Sequence, residues 1–183
     1  MYPFITNTLG NISENMTMLF SPQYHLIKNG SQLFPKSSSY YFLNITPITD
    51  NIYLSGIHGA MDINQINKYN IVNIIHCTKN IPNYFENMGV VYTRISIDDT
   101  TSQHIENYFD ETFNIIENSV NNNMNILVHC HGGVSRSATI LIAYFMRKNN
   151  WSYTISYDFI KSKRPIINPN SEFTIALQNY KVI

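Results

Sequence analysis

Apolar residues recur along most of the chain with two different spacings. Short runs of β-branched and aromatic residues, each of strand length, occur at 51–54, 71–75, 90–97 and 126–128. Between the last two runs the spacing changes to i, i+3 and i+4, which is typical of an amphipathic helix. Its apolar positions are Ile105, Tyr108, Phe109, Phe113, Ile116 and Val120, with Thr101-Ser102 as N-cap candidates.

Three further helices are predicted after the last apolar run. The stretch from Ser137 to about Lys148 is apolar almost all round, as expected of a helix buried inside a domain. Two more helices are expected at about 152–163 and 171–181, because prolines at 165 and 169 interrupt any continuous helix. Strands that alternate with helices predict an α/β fold with a central, mostly parallel twisted sheet flanked by helices.

The first 45 residues have a different texture. They show little periodicity, so we expect an N-terminal extension with one or two short elements, followed by a catalytic domain over 46–183. The extension nevertheless carries many large apolar side chains, including Phe4, Ile12, Leu19 and Phe34. Because a freely solvated tail would not carry so many, we expect it either to pack on its own domain or to form a homodimer.

Charge and cysteine content narrow the classes of function. Twelve basic and twelve acidic residues give a formal net charge of +0 over 183 residues. No long-range electrostatic field is therefore expected to attract nucleic acid, so nucleic-acid binding is disfavoured. The longest apolar stretch, 140–146, is far shorter than a membrane span, so no membrane association is expected. Two cysteines, Cys77 and Cys130, are too few for a disulfide framework and favour a reducing, cytoplasmic location.

Candidate chemistry lies between the last apolar run and the buried helix. His129 and Cys130 end the run, and the loop that follows consists of His131, Gly132, Gly133, Val134, Ser135 and Arg136. A loop that enters a helix N-terminus presents backbone N–H groups and the positive end of the helix dipole, which suit a phosphate dianion. The glycines let the backbone face the ligand, and Arg136 supplies a fork for two phosphate oxygens. The sequence thus predicts a phosphate-binding loop, residues 131–136, between a strand and a buried helix.

The same field favours the thiolate form of Cys130, so that a nucleophile and a phosphate site coincide. Attack on phosphorus would give a cysteinyl-phosphate, and the hydroxyl of Ser137 could hydrogen-bond the departing sulfur in the second step. Ser137 could equally serve only as a helix N-cap, and we expect it to do both. The leaving oxygen needs a proton donor, for which Asp99 is the candidate and Asp98 the reserve.

These residues together resemble the dual-specificity branch of the cysteine-dependent protein tyrosine phosphatases. The resemblance rests on His129-Cys130, five further residues and Arg136-Ser137, with Asp99 placed 31 residues before Cys130. It extends to Asn51-Ile52-Tyr53-Leu54-Ser55-Gly56, Asn80-Ile81-Pro82-Asn83, Arg164-Pro165 and Pro169-Asn170-Ser171-Glu172-Phe173. Asp98-Asp99-Thr100-Thr101 and Asn107-Tyr108-Phe109-Asp110 look most like poxviral members of the family.

The resemblance implies a role for each matching residue. Cys130 would be the nucleophile, Arg136 the phosphate binder, Asp99 the general acid and then base, and Ser137 the partner of the thiolate. His129 would tune the cysteine, although a structural hydrogen-bonding role fits it equally well. The implied substrates are proteins phosphorylated on tyrosine, serine or threonine. An RNA 5′-triphosphatase and a phosphopeptide-binding pseudophosphatase remain as alternatives.

Other candidate residues favour structural roles. Cys77 could resolve an oxidised Cys130, but its apolar surroundings favour a buried hydrophobic residue. Lys161, Lys163 and Arg164 are interpreted as a solvated helix end, with contact to a second substrate phosphate as the alternative. His129 and His131 would point to opposite faces of an extended chain, so no metal and no cofactor are expected.

Overall fold

The computed structural model describes residues 26–29 and 32–181, with side chains from Lys36 onward. Strands β1 (Leu26–Asn29) and β2 (Gln32–Pro35) pair antiparallel, and helix α1 (Ser38–Leu43) follows them. Tyr41 on this helix is 3% exposed and Ile45 is 1% exposed, so the end of the predicted extension packs on the domain that follows. Residues 1–25 lie outside the described residues, and the homodimer expected through the extension stays a prediction.

The main sheet has five strands in the order β3-β4-β7-β5-β6. These are β3 (Thr46–Pro47), β4 (Ile52–Ser55), β5 (Ile71–His76), β6 (Val91–Arg94) and β7 (Asn125–His129). Only the short edge strand β3 runs antiparallel to its neighbour, β4, among these pairings. The register aligns Ser55, His129, His76 and Arg94 in one row at the carboxyl ends of the parallel strands. The predicted mostly parallel α/β sheet is therefore confirmed.

Helices cover both faces of this sheet. They are α2 (Ile57–Ala60), α3 (Ile63–Lys68), α4 (Phe109–Asn121), α5 (Arg136–Asn149), α6 (Tyr153–Lys163) and α7 (Ser171–Asn179), with 3₁₀ turns at Glu86–Met88 and Ile105–Tyr108. Helices α4 to α7 share one apolar core with the sheet, while α2 and α3 help to cover the other face. All ten residues from Ser137 to Met146 are buried, so α5 is the predicted central helix.

Two boundaries differ from the sequence prediction. The amphipathic helix does not begin after Thr101-Ser102: a 3₁₀ turn comes first, and α4 starts at Phe109. Gln103 explains the difference, because its amide donates to Thr100 O and its side chain accepts from the amide of Asp98, which closes this segment into a turn. The apolar run 90–97 pairs as a strand only over 91–94, since the amide of Ile97 donates to Ile95 O and bends the chain.

Among the described residues no helix combines the length and apolar character needed to cross a lipid bilayer.

Candidate active site

The loop of residues 131–136 joins the end of β7 to the start of α5, and its carbonyl groups all face away from its concave side. His131 O accepts from the amide of Ile57 (2.9 Å), and Val134 O accepts from the amide of Asn168 (2.9 Å). Ser135 O accepts from both the amide and the hydroxyl of Thr139. Because each carbonyl is bound outside the loop, the peptide planes turn their N–H groups toward the concave side.

The carbonyls of Gly132 and Gly133 are bound by Arg164. Its Nε donates to Gly133 O at 2.8 Å and its Nη2 donates to Gly132 O at 3.3 Å. The side chain is 0% exposed, so the interpretation of residues 161–164 as a solvated helix end is wrong for Arg164. A cation at a helix end is usually solvated. Arg164 is buried instead because its planar guanidinium donates to two carbonyl groups of the loop. Lys163 is exposed, as expected.

Gly133 adopts a conformation that other residues rarely take. Its φ is +64°, and a Cβ at this position would lie 2.5 Å from the carbonyl carbon and oxygen of Ser55 at the end of β4. The loop therefore needs glycine here both for its backbone conformation and for its close packing on the neighbouring strand.

Cys130 lies at the bottom of this loop, directly after β7, and is 1% exposed. Its Sγ accepts a hydrogen bond from the amide of Gly133 (3.2 Å) and another from the hydroxyl of Ser137 (3.1 Å). Ser137 is the second residue of α5, and the N-cap position belongs to Ser135, so the predicted capping role of Ser137 is wrong. Both donors thus point at the sulfur atom that would attack phosphorus.

Arg136, the first residue of α5, points its guanidinium across the same loop. Its Nη1 donates to Cys77 O (3.3 Å) and Ile97 O (3.2 Å), carbonyls that follow β5 and β6. Its Nε is buried without a hydrogen-bond partner among the described residues and lies 3.5 Å from Asp99 Oδ2. Two backbone carbonyls thus hold one arm of the guanidinium, and its Nε lies beside the carboxylate of Asp99.

Asp99 and Asp98 face different partners. Asp99 Oδ1 accepts from the hydroxyl of Ser135 (2.7 Å) and from the side-chain amide of Asn170 (3.0 Å), which leaves Oδ2 toward Arg136. Asp98 instead forms an exposed ion pair with Lys79. Asp99 is therefore hydrogen-bonded to a side chain of the 131–136 loop, whereas Asp98 pairs with Lys79 in the depression beside that loop.

His129 lies behind the cysteine and stacks on His76, with ring centroids 5.5 Å apart. Burial, then the neighbouring His76, lowers the pKa of His129 to about 3, and its Nδ1 lies 3.3 Å from Cys130 O, which accepts from it. Burial, followed by the charge of Arg94, lowers the pKa of His76 to about 4. Both rings are therefore neutral near pH 7, and neither adds a positive charge beside the sulfur.

Cys77 follows β5 in the strand next to the one that ends at Cys130, and it is 0% exposed. Burial, with the nearby Cys130 as a second cause, raises the pKa of the Cys77 thiol well above its usual range. A protonated, enclosed thiol is a poor nucleophile, which favours its interpretation as an apolar core residue.

Several contacts of this site were not predicted. Asn170 and the hydroxyl of Ser135 hold Asp99, and Arg164 holds the loop. Phe42 of α1, 43% exposed, places its ring edge 3.7 Å from where a Cβ of Gly132 would lie, at the rim of the loop. Asn170 and Arg164 stand in the motifs that carried the family resemblance, but nothing in their spacing indicated these contacts.

An open depression of about 250 Å³ lies against the loop, and its lining includes Lys79, Asp98, His131 and Arg136. Its lining carries side chains of both charges. Among the described residues, no group of three or more His, Cys, Asp or Glu side chains is arranged to hold a metal ion.

Comparison with known proteins agrees with this geometry. The family described as "Dual specificity phosphatase, catalytic domain" matches residues 52–183. Human dual specificity protein phosphatase 9 is 36% identical over 135 residues, which is 73% of this chain and 35% of that protein. A protein of invertebrate iridescent virus 6 named "Putative tyrosine phosphatase 123R" is 34% identical over 137 residues, 74% of this chain and 91% of that protein.

A solved structure, the crystal structure of DUSP15, is 32% identical and superposes with a TM-score of 0.71 over 74% of this chain and 86% of that one. The chain belongs to the dual specificity phosphatase family, so the resemblance inferred from residues 129–137 is confirmed. This chain spans about a third of the length of the human relative, and the similarity to poxviral members in particular stays a prediction.

Proposed function

We propose that this chain is a cysteine-dependent protein phosphatase that hydrolyses phosphotyrosine and phosphoserine or phosphothreonine through a cysteinyl-phosphate. The observation that carries the proposal is the position of Cys130 Sγ, which receives two hydrogen bonds at the bottom of a loop whose N–H groups converge with Arg136. A phosphate seated there has its phosphorus in front of the sulfur and its oxygens on the loop and the guanidinium.

In the first step the Cys130 thiolate forms an S–P bond while the bond between phosphorus and the leaving oxygen breaks. Asp99 donates a proton to that oxygen, with its Oδ1 held by Ser135 and Asn170 and its Oδ2 beside Arg136. In the second step a water attacks phosphorus and gives its proton to Asp99. The S–P bond breaks, and the hydrogen bonds from Ser137 and Gly133 stabilise the departing thiolate.

Two substitutions test this mechanism. Cys130→Ser should abolish turnover and still bind tungstate, because the alcohol is hardly ionised at neutral pH while the loop is unchanged. Asp99→Asn should lower kcat by about 10²- to 10⁴-fold on alkyl phosphates and by less on an activated aryl phosphate. Asp98→Asn is the matched control and should leave that ratio unchanged. Substantial activity of Cys130→Ser, or the Asp99 pattern in Asp98→Asn, would contradict the assignment.

Substrate class needs its own measurement. We infer phosphorylated proteins from the family, and the neutral net charge argues against triphosphate-ended RNA. The intact Cys130 and Asp99 argue against a pseudophosphatase that only binds phosphopeptides. A turnover panel of phosphotyrosine and phosphothreonine peptides, inositol phospholipids and triphosphate-ended RNA distinguishes these classes, and turnover of the RNA alone would overturn the inference.

We also propose a cytoplasmic location and a homodimer formed through the first 45 residues. The reducing environment suited to two free thiols supports the location, and the large apolar side chains among residues 1–35 support association. Light scattering of the whole chain at tens of micromolar tests the dimer, and a monomeric mass would exclude it.

A further inference from the structure

Arg164 is the largest fully buried side chain among the described residues, and all three nitrogens of its guanidinium group are bound to neutral acceptors. Nε donates to Gly133 O and Nη2 to Gly132 O. Nη1 donates to Thr46 Oγ1 at 2.9 Å and to Asn44 O at 3.3 Å. The ion pairs of the described residues join other side chains, so no carboxylate neutralises this charge.

Burial of a cation without an anionic partner lowers the stability of the folded protein. A functional role for the charge would account for the burial of Arg164. Burial lowers the pKa of Arg164 to about 10, and the main opposing influence comes from Cys130. At neutral pH the guanidinium therefore keeps its charge. Cys130 and Tyr41 are the groups that oppose this lowering, and burial raises the pKa of Tyr41 to about 12, so Tyr41 is neutral at that pH. The thiolate of Cys130 and an oxyanion seated in the 131–136 loop would bring negative charge to the other side of the same peptide planes.

The guanidinium also fixes the direction of those peptide planes. A Cβ on Gly133 would come within 2.6 Å of Arg164 Nη2, so the loop and the guanidinium are in direct contact. If the guanidinium were absent, Gly132 O and Gly133 O would lose their donors and could rotate toward the concave side. A carbonyl oxygen facing that side would repel a phosphate and would remove an N–H group from it.

We propose that Arg164 is a positioning residue for the reaction: it turns the Gly132 and Gly133 carbonyls outward, and its uncompensated charge stabilises the Cys130 thiolate and the bound oxyanion from behind the loop. The proposal rests on the proposed function for the identity of the ligand. Asn44 and Thr46, which precede the family-matched residues 52–183, hold the far side of the guanidinium.

The test compares Arg164→Met and Arg164→Lys with Lys163→Met, a neighbouring control that removes the same charge from an exposed position. Two quantities are measured on the full chain: the affinity for tungstate by calorimetry, and the pH midpoint of Cys130 alkylation by iodoacetamide, mapped by mass spectrometry. Neither quantity requires turnover. Circular dichroism and thermal melting establish that each variant folds.

Arg164→Met should bind tungstate about 10- to 100-fold more weakly, and its alkylation midpoint should rise by about one pH unit. Arg164→Lys keeps the charge but cannot bridge two carbonyls, so its midpoint should stay near that of the unaltered chain while tungstate still binds at least about fivefold more weakly. Lys163→Met should match the unaltered chain in both measurements.

Unchanged tungstate affinity and midpoint in folded Arg164→Met would overturn the proposal. If that variant does not fold, Arg164→Lys decides: unchanged tungstate affinity overturns the proposal, and weakened affinity supports it. Shifted binding and alkylation together with no phosphatase activity in the unaltered chain would refute the proposed function and leave this proposal standing. Failure of the unaltered chain to bind tungstate would overturn both.

Discussion

Replacement of His76 by leucine should make the folded protein less sensitive to acid. His76 and His129 are buried, and their pKa values lie near 4 and 3 against 6.5 for a solvated ring. As the pH falls below 6.5 the unfolded chain takes up protons that the folded chain does not, so stability is complete above that pH and declines toward pH 4. At pH 5 the loss is about 2 kcal/mol for each ring, at 1.36 kcal/mol per pH unit.

Leucine removes the titrating ring of His76 together with its ring contacts to His129 and Tyr92. Losing those contacts changes stability at every pH, so the titration is read from the dependence on pH and not from the stability at pH 7. We expect the free energy of unfolding, from urea titrations at pH 7.0, 6.0, 5.5 and 5.0, to fall by about 2 kcal/mol less in His76→Leu than in the unaltered chain. His104→Leu is the control, because its ring is 77% exposed. Parallel pH curves for His76→Leu and the unaltered chain would refute the reasoning.

Two further predictions concern the 131–136 loop. Gly133→Ala should weaken tungstate binding at least tenfold and destabilise the fold by about 2–4 kcal/mol, whereas Gly89→Ala, which has φ +83° but open space around it, should show the smaller conformational cost alone. Equal effects of the two changes would contradict the close packing. Phe42→Ala should raise KM for an aryl phosphate about fivefold with little change in kcat, because its ring lies at the loop beside Gly132, while the neighbouring Leu43→Ala should not. Steady-state kinetics would refute the role of Phe42 if KM is unchanged or if Leu43→Ala raises it as much.

Local patterns in the sequence sufficed for the sheet and the central helix. The apolar runs of strand length and the stretch after Ser137, which is apolar on all sides, both indicate segments that must be buried. The loop chemistry was also local, because Cys130 and Arg136 lie six residues apart on one turn. The start of α4 was predicted wrongly, since the capping residues Thr101-Ser102 compete with a turn closed by the Gln103 side chain.

Contacts between distant segments could not be predicted in the same way. A run such as Lys161 to Arg164 has the composition of a solvated helix end, but Arg164 is bound by loop carbonyls 31 and 32 residues earlier and by Asn44 and Thr46, still further away in the chain. The partners of Asp99 are separated from it by 36 and 71 residues. Periodicity carries no information on such pairs, because each depends on how the strand ends are brought together.

The N-terminus of α5 lacks the side-chain cap that helices α6 and α7 have. The side chains of Ser152 and Asn170 cap helices α6 and α7, and both residue types are common at the N-cap position. Ser135 holds the same position in α5, yet its hydroxyl donates to Asp99 and forms no cap. An absent cap costs about 1 kcal/mol and leaves amide groups unpaired at the positive end of the helix dipole. Ser135 thus orients the candidate acid, Asp99, and leaves the first amide groups of α5 unpaired. A phosphate bound in the loop would accept hydrogen bonds from these amide groups in place of a capping side chain.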